Sequence, residues 1–515
     1  MTGINRRQLI QTSGATLTAA ALAGPQHAWS RQVDSATPQS ASELRDRLDR
    51  FTSEALGRYD VPGAAVAVVQ DGETVLAKGY GVRSLLDDAP VDADTVFQLA
   101  SNTKPIIAFT LGTLVDQGLI GWDTPIVDVL PELVLWDPYA SRHVTPRDVF
   151  AHRSGLPAFT GDTLGHLGYD RAELLHRLRY VEPTHSFREI AAYSNLGYFI
   201  AGEVIARLTG APWEDAVRAR LFQPLGMSRS GPTSIDPPAD GNVSANHGVV
   251  DGELQVVPLD DHGIHGAAGS AVSTANDLTL WMQMLLDGGR AGGEQLISPE
   301  TVREMFNPSM VSDISFTETP PIDKTSGFSY GMGWGNFHYH GYEVIEKGGA
   351  LAGVRTVVVM VPSINAGIAV VANRNLTFLP EAIRAFALEQ WLGASDFDMQ
   401  ADIESRAALV DEMFAPQPAP TDSLPATVPL ENLAGTYANT LVGQANVLVD
   451  GDDLRLELGP AGWPATLHHL SRETFLLDWG TVTTVPGPMT FFIGPDGLAT
   501  AFETEEFGWF TRVNE

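Results

Sequence analysis

Hydrophobic and polar positions along this chain follow two different rhythms. From about Ser42 to Trp391 the pattern switches between helical and strand spacing without a long break. Ala64-Ala65-Val66-Ala67-Val68-Val69 is a continuous apolar run, Asp71-Gly72 is a turn signal, and Thr74-Val75-Leu76-Ala77 follows. Together they predict a β-hairpin closed by an Asp-Gly turn. Ile106, Ile107, Leu111, Leu114 and Val115 recur at helical spacing and stop near Gly118, a plausible helix end. Ala201 to Leu208 and Leu278 to Leu286 also read as helices. Val354 to Val361 and Ile368 to Ala372 are short β-branched runs that read as central strands. Strand, helices and strands again predict an α/β sheet whose edges come from opposite ends of the segment.

The second rhythm begins after Ala415-Pro416-Gln417-Pro418-Ala419-Pro420, which with Pro425 and Pro429 forms a stiff, extended linker. Beyond it the period is two. Leu454-Arg455-Leu456-Glu457-Leu458 alternates without a fault, and Asp450-Gly451 and Asp496-Gly497 supply turns. Phe475-Leu476-Leu477, Thr481-Val482-Thr483, Phe491-Phe492-Ile493 and Trp509-Phe510 add short strands. About eight strands in roughly 85 residues point to a small antiparallel barrel or sandwich.

The N-terminus departs from both rhythms. Arg6 and Arg7 precede an Ala/Thr-rich, mildly apolar run from about Thr12 to Gly24, and no acid appears before Asp34. Residues 1–30 read as an export signal of twin-arginine type, which places the protein in the periplasm or outside the cell. That run is too short and too weakly apolar for a stable membrane span, and nothing later reaches 18 consecutive apolar residues. The division expected is 1–30 signal, 42–395 main domain, 396–428 helical end and Pro-rich linker, and 429–515 barrel.

Composition narrows the chemistry. The formal charge is −31, and the basic stripe that phosphates need is missing, so nucleic acid is disfavoured as a partner. Cysteine is absent, which removes thiol nucleophiles, disulfides and thiolate metal sites together. His262 and His265 have metal-like spacing but no matching carboxylate cluster, and no metal or cofactor is expected. Lysine is scarce: Lys78, Lys104, Lys324 and Lys347 are the only four. Lys104 falls three residues after Ser101 in Leu99-Ala100-Ser101-Asn102-Thr103-Lys104-Pro105. At the start of a helix this spacing points both side chains into one space. A desolvated lysine there can take a serine's proton, and the helix N-terminus favours a developing oxyanion.

Phe97 to Pro105 resembles the nucleophile segment of the serine β-lactamases and D-Ala-D-Ala peptidases. It is more similar still to the β-lactamase-related serine hydrolases, which include esterases and D-aminopeptidases. Other blocks agree in order: His152-Arg153-Ser154-Gly155-Leu156-Pro157, then Tyr193-Ser194-Asn195, the stretch from Ala201 to Met227, and Lys347-Gly348-Gly349. The resemblance covers roughly residues 45–390. It implies an α/β (α+β) fold of the β-lactamase and penicillin-binding type: an antiparallel sheet flanked by helices plus an all-helical region, followed here by the small all-β barrel. It implies Ser101 as the acylated nucleophile, with Lys104 and Tyr193 sharing the general-base work in an order left open. Asn195 would orient Lys104 or the substrate amide. Lys347, Gly348 and Gly349 would edge the site, with the backbone N–H groups of Ser101 and Ala350 as oxyanion hole. The barrel resembles the lipocalin-like modules of some such hydrolases, where it caps the site or mediates assembly as a homo-oligomer.

Two departures separate the chain from the family's β-lactamases and carboxypeptidases. Gly348 stands where they carry a hydroxyl for a substrate carboxylate, and Glu346 stands beside Lys347, in a position expected to offset its charge. Lys324-Thr325-Ser326-Gly327 imitates the lysine motif, with its glycine one residue late. The expected function is hydrolysis of a small-molecule, peptide or ester substrate, with a peptide or amide bond first. A carboxylesterase or weak β-lactamase/D-Ala-D-Ala carboxypeptidase is the alternative, and a non-catalytic cell-wall-binding or sensor protein is the alternative of another class. Substrate choice is assigned to the loops Phe159 to Asp170 and Ser312 to Ser329.

Overall fold

The computed structural model describes residues 40–513 apart from 235–237, 251, 260–262, 313–326, 395–397, 415–422 and 481–485. The segment expected to direct export, His262, Lys324, Thr481 to Thr483 and most of the loop after Ser312 lie outside the described residues.

An antiparallel sheet of nine strands forms the spine of the main domain. Across the sheet the order is Met310–Val311, Ser329–Tyr330, Gly335–Tyr339, Tyr342–Leu351, Val354–Val361, Ala366–Ala372, Gly63–Gln70, Glu73–Ser84 and Asp87–Pro90. Asp71 and Gly72 close the first hairpin with φ of +54° and +80°, the left-handed pair that a two-residue hairpin turn demands. The ends of the segment do not both lie at the edges, as the sequence pattern predicts. The first and last long strands meet inside the sheet instead, Ala64 opposite Ala372 and Gln70 opposite Ala366. Both are buried at nearly every position, and a strand apolar on both faces must be covered on both faces. Only the exposed Asp87–Pro90 edge comes from the start of the chain.

The strand period of two divides the interior. Ala65, Ala67 and Val69 enter one core, and Ala64, Val66 and Val68 enter another on the opposite face. The second core is covered by helix Ala41–Arg58, opened by a Ser40/Glu43 capping box, and by helix Leu379–Leu392; Phe51 stacks on Phe386 between them at 4.2 Å. The first core holds helix Ala275–Leu286, helix Asn195–Thr209 and helix Thr103–Asp116. This last helix is buried almost all round from Thr103 to Leu114, as a helix without a polar face must be.

After helix Met399–Phe414 come eight strands, from Gly435–Asn439 to Gly508–Arg512, closed into an antiparallel barrel. Closure removes the exposed edges that a sandwich of short strands would leave. Leu454, Leu456 and Leu458 point inward while Arg455 points out, and Tyr437, Phe475, Phe491 and Phe502 fill the lumen.

The barrel packs against residues 163–177 of the main domain. The Tyr169 hydroxyl donates to the Val442 carbonyl at 2.8 Å, Arg177 donates to the Leu441 carbonyl at 2.9 Å, and the Ala461 N–H donates to the Leu167 carbonyl at 2.9 Å. His166 stacks on Trp463 at 5.0 Å. Among the described residues no helix is long and apolar enough to cross a membrane.

Candidate active site

Ser101 sits on a 3-10 turn, Ala100–Asn102, that runs directly into helix Thr103–Asp116. The turn is pinned from two directions, by Ala271 and by Thr356. The Leu99 N–H donates to the Ala271 carbonyl at 2.7 Å, and the Ala271 N–H donates to Thr103 Oγ1 at 2.9 Å. Thr356, on the neighbouring sheet strand, donates to the Leu99 carbonyl and accepts from Asn102 Nδ2, each at 2.9 Å. Ala100 is held at φ +52° while fully buried. Left-handed backbone at a non-glycine residue costs on the order of 1 kcal/mol or more and persists where surrounding contacts over-determine it.

Two side chains meet at the serine. Lys104 Nζ lies 3.0 Å from Ser101 Oγ and donates to the Ala268 carbonyl at 2.8 Å. The Tyr193 hydroxyl lies 2.8 Å from the same Oγ. Lys104 is completely buried, its ammonium position 4.8 Å from the Tyr193 ring centre and 5.2 Å from that of Tyr198. Desolvation holds its pKa below the ordinary lysine value, and the nearby Lys347 charge adds to the effect, against opposing influences from Tyr193 and Asp162.

Lys347 reaches the same tyrosine from the sheet. Its Nζ stands 5.2 Å from the Tyr193 ring centre and 5.5 Å from that of Tyr330. Glu346 does not join it, contrary to its position in the sequence. Adjacent residues of a strand face opposite ways, so Glu346 lies on the face covered by helix Leu379–Leu392. There both carboxylate oxygens lie 2.7 Å from Arg384 Nη1, in a pair exposed by 1% and 0%. Pairing with strand Gly335–Tyr339 ends at Glu346, while pairing with Val354–Val361 continues to Leu351. Gly348, Gly349 and the exposed Ala350 therefore lie beyond the first ladder. A Cβ at Gly349 would stand 2.8 Å from the Leu99 carbonyl oxygen and 3.0 Å from the Ala100 Cβ, so only glycine lets the strand approach the serine turn this closely.

Asn195 opens helix Asn195–Thr209, one residue after its cap. Its Nδ2 donates to Asp162 Oδ2 at 2.9 Å, a partner that sequence reasoning did not single out. Desolvation pushes the Asp162 carboxyl up to about 7, with Lys104 and Asn195 pulling the other way. Asp162 lies in the Phe159 to Asp170 loop, but a single acid in Phe159-Thr160-Gly161-Asp162-Thr163 carries no motif. Its neighbour Thr163 donates to Glu506 of the barrel, so the barrel reaches the rim of the site. His152, first residue of a quoted motif but given no role in it, packs beside Tyr193 at 4.4 Å between ring centres. Among the described residues no group of three or more metal-ligating side chains is gathered.

A serine within hydrogen-bond reach of a buried lysine and a tyrosine hydroxyl, on a helix-flanked antiparallel sheet, is the constellation of a serine hydrolase, an enzyme acting on amide or ester bonds. Residues 48–390 match the family model described as Beta-lactamase, and the chain belongs to that family. Residues 419–513 match a domain of unknown function (DUF3471). The chain is 28% identical to an unguisins hydrolase of Aspergillus campestris, over 90% of each sequence. It is 29% identical to penicillin-binding protein 4 of Amycolatopsis lactamdurans, over 78% of this chain and 98% of that one. Its fold is similar to that of the octameric penicillin-binding protein homologue from Pyrococcus abyssi, with a TM-score of 0.58 at 21% identity over 90% of this chain and 99% of the other.

Proposed function

We propose that the protein is an exported serine hydrolase that cleaves a peptide or amide bond through an acyl-enzyme on Ser101. The observation that carries this reading is the placement of Ser101 Oγ 3.0 Å from Lys104 Nζ and 2.8 Å from the Tyr193 hydroxyl. Burial keeps Lys104 inclined to its neutral form, so the serine proton has a base in hydrogen-bond reach. The proton passes to Lys104 or to a Tyr193 phenolate as the Oγ–carbonyl bond forms. The N–H groups of Ser101 and Ala350 receive the oxyanion. Tyr193 protonates the leaving nitrogen as its bond to the carbonyl carbon breaks. Water then attacks the ester by the reverse proton route. Asn195, held by Asp162, and Lys347 line the site for the substrate.

Similarity over 90% of each sequence to a protein named as a hydrolase of unguisins supports hydrolysis as the activity. Gly348 offers no hydroxyl to a substrate carboxylate, which favours an amide or ester substrate without one over a β-lactam or a C-terminal D-Ala-D-Ala peptide. An ester substrate uses the same steps and is the second reading. Self-assembly through the barrel belongs to the proposal: Phe492 and Trp509 are exposed there with ring centres 4.4 Å apart, and the Pyrococcus abyssi neighbour is an octamer. The decisive test is labelling by a fluorophosphonate. The wild type is expected to label covalently and Ser101→Ala is not; labelling that persists in the variant overturns the assignment. Turnover of short L- and D-peptides against p-nitrophenyl esters and nitrocefin then ranks the substrate classes. A protein that labels nothing and turns over none of them is a binding or sensor protein instead.

A further inference from the structure

The residues on either side of Tyr193 are both hydrogen-bonded to one residue, His152. The Ala192 N–H donates to the His152 carbonyl at 2.7 Å, and the Ser194 N–H donates to its ring Nδ1 at 3.1 Å. The ring itself lies against the Tyr193 ring, centres 4.4 Å apart at an interplanar angle of 32°. Backbone and side chain of one residue thus grip the tyrosine before it, behind it and along its face. His152 adopts φ +58° to do so, a conformation that side-chain-bearing residues seldom take without a compensating contact.

We infer that His152 is the positioning residue of the site: a neutral imidazole whose Nδ1 acceptor fixes the Tyr193 hydroxyl on Ser101 Oγ. This rests on the proton-transfer role proposed for Tyr193. An Nδ1 that accepts from a backbone N–H leaves the ring hydrogen on Nε2, so the tautomer is set by Ser194. The surroundings oppose a second proton. His152 is 1% exposed, and Tyr193, Tyr198 and Tyr330 surround the ring with centres 4.4, 5.4 and 4.8 Å away. Burial and the charges of Lys104 and Lys347 hold its pKa well below the ordinary histidine value. A protonated ring would present N–H to N–H at Ser194 and release the clamp. The ring is therefore unsuited to proton transfer itself and suited to a fixed acceptor.

Two substitutions divide the functions of the ring. Asparagine places its Oδ1 near the Nδ1 position and tolerates left-handed backbone, so His152→Asn keeps the acceptor and loses the aromatic face. His152→Phe keeps the face and leaves the Ser194 N–H without its acceptor. With p-nitrophenyl acetate as probe, His152→Phe is expected to lower kcat by about 100-fold with KM changed less than about 2-fold, the scale of one misplaced acid–base group. His152→Asn is expected to lose no more than about 5-fold. If His152→Phe does not fold, His152→Gln, whose acceptor lies one bond further out, is judged by the same criterion. The fluorophosphonate labelling rate supplies the second reading, in a Tyr193→Phe background where the same His152 substitution should cost nothing further. Undiminished kcat in the variant lacking the acceptor, or an undiminished further loss in the Tyr193→Phe background, overturns the inference. Wild-type turnover in Tyr193→Phe alone overturns the Tyr193 assignment instead.

Discussion

The two faces of strand Tyr342–Leu351 treat charge in opposite ways. On one face Glu346 meets Arg384, opposite charges fully buried and 2.7 Å apart, with the Arg355–Glu381 pair close by in the same layer of the fold. One residue further on, Lys347 turns to the other face and joins Lys104 around a single tyrosine ring, 5.2 and 4.8 Å from its centre. The first arrangement satisfies two charges and lowers the cost of burying both. The second gathers like charges, and burial together with the Lys347 charge lowers the pKa of Lys104. A strand with a matched pair on one side and two crowded lysines on the other provides the setting that the proposed base role of Lys104 requires.

Lys104→Met should break this contrast most severely. Methionine has similar length and no charge to desolvate, so the fold is expected to keep or gain stability, since a buried ion without a close opposite partner is a net cost. Turnover and fluorophosphonate labelling should both fall by about 10³-fold, within the range that a positioned acid–base group supplies. A loss of stability equal to the loss of turnover would place Lys104 among structural residues. Glu346→Ala should do the reverse. It leaves the Arg384 charge buried without its carboxylate, and breaking such a pair costs about 3–5 kcal/mol, readable as a lower urea midpoint. The molecules still folded should turn over within a few-fold of the wild type. Inactivation without destabilisation would restore the role that adjacency in the sequence gives Glu346, as a counter-charge to Lys347.

The Glu346 case also marks how far the sequence can be read. Ser101, Lys104, Tyr193 and Lys347 were legible because each sits in a short motif whose spacing is fixed by one turn or one strand. The hairpin at Asp71-Gly72, the helix ending near Gly118 and the period-two barrel were legible for the same local reason. What was not legible depends on pairs far apart in the chain. Glu346 is 38 residues from Arg384, and period two was enough to send it away from Lys347 but not to name its partner. The seam between the first and last sheet strands follows from burial on both faces, which an apolar run does not distinguish from an edge. Asp162 meets Asn195 across 33 residues from a loop with no motif, and the barrel's approach to the site through Glu506 is visible only once both domains are folded.

Asp162 gives the smallest effect and tests whether the site face is as charge-crowded as the comparison holds. Its folded carboxyl titrates at about 7 against an ordinary value of 3.8. Between those values the folded protein holds a proton that the unfolded chain has released, so stability falls as pH rises from about 4 to about 7 and is level beyond. Asp162→Asn removes the titration while leaving an amide oxygen able to accept from Asn195. The variant should therefore be more stable than the wild type at pH 8, by on the order of 1 kcal/mol or more, with the difference closing near pH 4. Thermal melts of both proteins across that range measure it. If Asp162→Asn is instead the less stable protein at pH 8, then the carboxylate is ionised and paired with Lys104. The site face would then hold a matched pair of its own, and Lys104 would owe its lowered pKa to burial and to Lys347 and not to a shortage of negative charge.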